Sequence, residues 1–389
     1  MPFARQPGFV PWGAVASPPV APILEPPGRF HTPRRRSLLS IAGRPAPRLY
    51  VLGLAVGGPG LTALLVLWLS VRAGADLAGT PIQAGAILEA LCAIATIGLL
   101  AACIAQARQR RADGWTDYAG PAPILAGATL VALVAGVYLP IEFGLSKAGI
   151  HLSAGVSTLL EVLVYLAAYA GVVHFVAVRT GAMTWRDIIR PQRLAPSQGE
   201  WTTAPEVTTG WDAWGRPNRS WGSRLAARAV GDVMWALALL LPLFFITAVL
   251  SLLLVVILGI RTEDISSPST TTITNLDRWI TILAVAVIVP IGEEIFYRGF
   301  TTTAWGRSLS RNSAILRGAL FFAAVHIINT SSTDPLTSAK AAFFNMAVRV
   351  PVAFALTWLY MRRRSLISSV TLHGSYNGLI VMIGILASY

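Results

Sequence analysis

Charged side chains are scarce in this sequence. Asp, Glu, Lys and Arg make up 13% of its 389 residues, against about a quarter in an ordinary soluble domain, and that shortage argues against a water-soluble fold. Acidic residues are scarcer than basic ones, 18 against 31. A cationic surplus can mark a nucleic-acid binder, but here the Lys and Arg gather in short stretches beside apolar runs. No nucleic-acid motif accompanies them, so nucleic acid is set aside as a partner. Cysteine is nearly absent: Cys92 and Cys103 share one apolar run. On a helix they would lie about 16 Å apart, too far for a disulfide, and they form no metal-spaced pair. The N-terminus carries no early cleavable apolar core, and no internal repeat of solenoid period stands out.

Apolar residues fill the gap. They make up 54% of the chain, and the mean hydropathy is +0.61. A spanning helix needs about 20 of them in succession. That length predicts an all-α, polytopic membrane bundle of about nine transmembrane helices, near 49–71, 82–105, 122–145, 154–178, 229–260, 279–300, 313–330, 341–361 and 365–388. The fifth is long enough to tilt or run past the membrane. Every second connection is basic, from "RRRSLLSIAGRPAPR" and "RQRRADGW" through to "MRRRS", whereas the alternate ones hold few cations. Basic loops stay on the cytoplasmic side, so the N-terminus is expected there. Four regions follow: a basic, Pro-rich tail at 1–47 that reads as disordered, a four-span part at 48–179, a cytoplasmic linker at 180–228, and a five-span part at 229–389.

Ionisable residues inside a span are costly and default to functional candidates. The N-terminal half has three isolated ones, Glu89, Glu161 and His174, each without an obvious local partner and each read as structural. The C-terminal half is different. In "IGEEIFYRGF", Glu294 and Arg298 stand four apart with the acid first, the favourable ion-pair order. Glu293 lies about 100° around the helix and cannot share that arginine equally, so it is the acid left over. "FFAAVHIIN" sets Phe322 beside His326, and "TLHGSYNGL" sets His373 and Asn377 on one face. Counted from the cytoplasmic ends, Glu293, His326 and His373 lie at depths of roughly 10 to 20 Å. Three helices can therefore bring Glu, His, His and Asn to one cavity, as metal-assisted or general-base hydrolysis requires.

The run Glu293-Glu294-x-x-x-Arg298, then Phe322-x-x-x-His326, then His373-x-x-x-Asn377 resembles the CPBP family of intramembrane proteases. These are the CAAX proteases and bacteriocin-processing enzymes, also called the Abi family. The resemblance spans about 229–389, and the first four spans carry no assignable motif. It implies an endopeptidase in the cell membrane acting on a membrane-anchored or lipidated protein or peptide. Glu293 would activate water with His326 helping to hold it. His373 and Asn377 would polarise the scissile carbonyl or stabilise the oxyanion, and Glu294 with Arg298 would fix the helix end. A zinc site takes three protein ligands and an open position. His326 and His373 supply two, a glutamate would be the third, and any cofactor would be a divalent metal, zinc. Asn377 is a poor zinc ligand and a good amide donor, so Glu293 is the base in either scheme. The competing readings are a scaffold or bacteriocin-immunity protein using the same cavity, and a transporter. A transporter is disfavoured because the polar motifs occupy one half of the chain.

Overall fold

The computed structural model describes residues 48–72, 82–115, 117–191, 220–260, 274–329 and 335–386. The tail 1–47, most of the linker 180–228 and several loops lie outside the described residues. Among those described there is no strand. Each expected run coincides with a helix or helical run: α1 Arg48–Arg72, α2 Ile82–Ala112, α3 Pro123–Lys147 and α4 Ala154–Val173, the last extended by a π-helical turn, His174–Val178. A short α5, Trp185–Ile189, precedes the described start of α6, Ser220–Leu258. The sixth run is a chain of pieces: α7 Asn275–Leu283, a π turn Ala284–Ile288, α8 Val289–Glu294, a second π segment Ile295–Thr302, and α9 Thr303–Ser308. Then come α10 Arg311–Val325 with a 3₁₀ turn His326–Asn329, α11 Pro335–Arg363 and α12 Leu366–Leu386.

Six helical runs are long and apolar enough to cross a membrane: Glu89–Ala112, Ala154–Val178, Ala226–Leu258, Asn275–Ser308, Leu336–Arg363 and Leu366–Leu386. Of the three other expected runs, two lie on helices whose side chains are described only in part, α1 as far as Ala63 and α3 continuously over Pro123–Tyr138. The third, α10, at 15 residues, rises about 22 Å against a hydrocarbon core of about 30 Å.

The described residues all belong to one compact unit. Its main core joins Cys103, Leu130, Val172 and Val176 from the first four helices to Phe296, Phe300 and Phe322 from the later ones. Cys92 and Cys103 are both free and buried. One carboxylate ties the two parts at a helix end. Asp277 caps α7 with Thr274 and also accepts from the Ser153 hydroxyl (2.5 Å) and the Gly155 amide (3.0 Å) at the start of α4. An acceptor shared by two helix N-termini satisfies donors that would otherwise be orphaned. It also sets α4 and the α7–α8 run side by side in matched register.

Candidate active site

Pro290 explains the local shape of the sixth run. Above it the ladder is already in the π register, with Val289 N–H bonded to Ala284 O. The next rung would run from residue 290 to Val285 O, but proline has no N–H. The Asn377 side-chain amide supplies that hydrogen bond instead, at 3.3 Å. Gly374, one turn earlier on α12, lets the two backbones approach, since a Cβ there would run into Ala286 O. Asn377 and Gly374 thus dock α12 onto a break that proline creates, and π turns are frequent at functional sites.

The acid that follows is held as the spacing predicts. Glu294 and Arg298 are fully buried and joined at 2.7 Å. The Arg298 guanidinium also lies over the Phe322 ring at 4.1 Å. Glu294 has a second partner the spacing did not indicate: His373 donates from Nδ1 to its Oε1 at 2.9 Å. It therefore orients a histidine as well as pairing with an arginine. On the other side, His326 donates from Nδ1 to Phe322 O at 2.7 Å, and its ring packs on Phe322 at 4.7 Å between centroids. With both Nδ1 atoms donating, each neutral imidazole presents its Nε2 lone pair outward.

Both lone pairs face Glu293. His326 Nε2 is 3.9 Å from Glu293 Oε1, and His373 Nε2 is 3.6 Å from Oε2. These separations exceed a hydrogen bond and suit a bridging water. Glu293 Oε2 is buried with no hydrogen-bond partner among the described residues. Of the four residues expected to converge, three do: Glu293, His326 and His373. Asn377 is engaged by the Val285 carbonyl and uses one of its two amide N–H groups there. As to metal, a catalytic zinc centre needs three protein donors around one point. Among the described residues no group of three or more His, Cys, Asp or Glu side chains could hold an ion.

Residues 275–379 match the family model for Rce1-like type II CAAX prenyl endopeptidases. The resemblance read from the three motifs therefore holds over this segment, which contains every candidate site residue. No curated protein and no solved structure matches the chain. The Rce1-like segment supports an intramembrane protease carried on a multi-pass membrane protein.

Two contributors escaped the motif reading. Tyr169 on α4 lies as far beyond Ser153 as Glu293 lies beyond Asp277, so the shared cap brings them level. Gly292 permits the contact, because a Cβ there would stand 2.9 Å from the Tyr169 ring. Tyr165 and Tyr169 both interact electrostatically with Glu293. Tyr165 also interacts electrostatically with Glu161, so Glu161 has a local partner after all, one turn away on α4. Glu89 and His174 are exposed, and His174 stacks on Trp185. The second contributor is Arg349 on α11, which interacts electrostatically with Glu293 and His326. An arginine in the middle of an apolar run was a readable signal.

Proposed function

We propose that the protein is an intramembrane endopeptidase of the cell membrane in which Glu293 is the general base. The observation that supports this reading is the Glu293 carboxylate set between two imidazole Nε2 atoms at hydrogen-bond-plus distances, with its own Oε2 unpartnered. A water held among these groups loses a proton to Glu293 as its oxygen adds to the scissile carbonyl carbon. Glu293 then delivers that proton to the leaving nitrogen as the C–N bond breaks, giving an acid and an amine. His326 accepts a hydrogen bond from the water. His373 donates to the oxyanion from Nε2 only as the imidazolium, its ring held in place by the Nδ1 contact with Glu294.

The substrate is a membrane-associated or lipidated peptide, prenylated if the chain shares the activity in the matched family's description. No step is routed through a metal. Cleavage of a prenylated peptide by purified protein tests the reading. Glu293→Gln is expected to lower the rate by about 10²- to 10⁴-fold, and undiminished turnover sinks the assignment. A chelator is expected to leave the rate unchanged, and a loss restored by zinc would put a metal back at His326 and His373.

A further inference from the structure

Arg349 sits midway along α11, at the depth where a charge is most costly in a bilayer. Its helical neighbours show where it points. Met346, Val350 and Ala353 pack into the main core, while Val352 and Leu356 pack with α6 and α12. Arg349 lies between these two faces, toward the junction of α8, the His326 turn and α12. Electrostatic interactions with Glu293, His326 and Tyr376 come from those three elements in turn.

The guanidinium is held but not neutralised. Nη1 donates to the Asn345 carbonyl (3.0 Å) and to Asn345 Oδ1 (2.6 Å), one turn back on the same helix. Arg349 forms no ion pair among the described residues, whereas Glu294, Asp187 and Asp232 each have a basic partner. Asn345 is neutral and occupies one of the two terminal nitrogens. A planar fork with donors to spare is suited to a carboxylate, and the side chain is half-buried rather than sealed.

We propose that Arg349 is a specificity-determining residue that binds the free C-terminal carboxylate of the peptide substrate beside the Glu293 site. The inference rests on the protease reading for the identity of the ligand. A terminal carboxylate is the one anion a peptide carries regardless of its sequence. An arginine able to receive it near the scissile bond confines cleavage to the end of a chain. It also spares the interior peptide bonds of spanning helices, which bring no charge to the site. Glu293 does not take this place, because it forms no ion pair with Arg349 and is set between the two histidines.

The test compares one prenylated peptide in two forms, C-terminal acid and C-terminal amide, in nanodiscs of neutral lipid. Binding is measured on the Glu293→Gln protein, so that no peptide is consumed. The acid is expected to bind at least about tenfold tighter than the amide, the scale of a charge-assisted hydrogen bond. Adding Arg349→Gln or Arg349→Met is expected to bring both forms to the amide's affinity. Equal binding of acid and amide without any change at Arg349 overturns the proposal, and so does a preference that survives either substitution. Turnover by the unsubstituted protein separates the two claims. If the acid is preferred in binding but nothing is cleaved, the protease reading fails and the anchor stands. If acid and amide are cleaved with the same KM, the anchor fails and the protease reading stands. A substitution at Arg349 that lowers kcat equally on both forms would make it an oxyanion or charge-balancing group instead.

Discussion

The two ends of the helical bundle are held together by different means. Where α1 meets α2, contact is made by small residues. Gly53, Gly57 and Gly60 face Gly98, Ala95 and Ala102, and a Cβ at Gly60 would stand 2.8 Å from that of Ala95. Around the site, by contrast, helices are joined by buried polar side chains: His373 to Glu294, Thr303 to Tyr360 (2.7 Å), Tyr376 to Thr247 (2.9 Å) and Arg363 to Asp232 (2.7 Å). Hydrocarbon provides no hydrophobic drive between helices, so both regions must use close packing or hydrogen bonds. Close packing tolerates small shifts along the groove, whereas a hydrogen-bonded side chain fixes both position and orientation. The orienting kind of contact is concentrated where Glu293, His326 and His373 must meet.

That contrast can be broken most sharply at His373. His373→Ala removes the link between Glu294 and Glu293 and is expected to lower peptide cleavage by about 10²-fold or more, with the helical content by circular dichroism unchanged. A rate within a few-fold of the unsubstituted protein would mean that the polar contacts serve packing alone. Next comes Arg298→Met, which leaves Glu294 buried without its cation. It should cost about 3–5 kcal/mol, read as a lower unfolding temperature in detergent. Combining it with Glu294→Gln should recover much of that stability and none of the activity, because the group that orients His373 is still altered. A smaller and purely structural effect is expected from Gly98→Leu. It forces α1 from α2 at a cost of about 1–3 kcal/mol and should leave kcat untouched. A fall in kcat with stability preserved would show that the two regions are coupled.

The smallest effect lies outside the spans, at Asp187. Partial burial pushes its carboxyl up, but the Thr184 amide and hydroxyl and the Arg307 guanidinium at 3.0 Å pull harder and leave it below the ordinary carboxylate range. A depressed folded-state value contributes stability above the unfolded pKa, near 4, which is lost as the pH falls through the folded value. The unfolding temperatures of the unsubstituted protein and Asp187→Asn should therefore differ slightly at neutral pH and converge in acid. A difference that persists in acid would assign the effect to packing of α5 instead.

Much of this was legible in the chain. The helical runs followed from the lengths of apolar stretches, since a bilayer admits little else. The Glu294–Arg298 pair followed from a four-residue spacing, and Phe322 beside His326 from the same rule. Other features were hidden because they depend on contacts between helices. Asn377 was expected to face the reaction, yet its amide is drawn to Val285 by a hydrogen bond that Pro290 cannot make. Tyr169 carries no motif and reaches the site through a cap 16 residues away at Asp277 and Ser153.

The amino-acid order alone determined that the chain lies in a membrane, where its helices run, and that one of two adjacent glutamates would be neutralised by its neighbour. Periodicity and the cost of buried charge are local or one-dimensional properties, and they suffice for that. Only the tertiary structure decided what Glu293 faces. Its two histidines come from the ends and middles of other helices, with their tautomers set by Phe322 and Glu294. Arg349 comes from a helix whose rotation no short pattern fixes. Those relations are distances between helices, and such distances are set by packing.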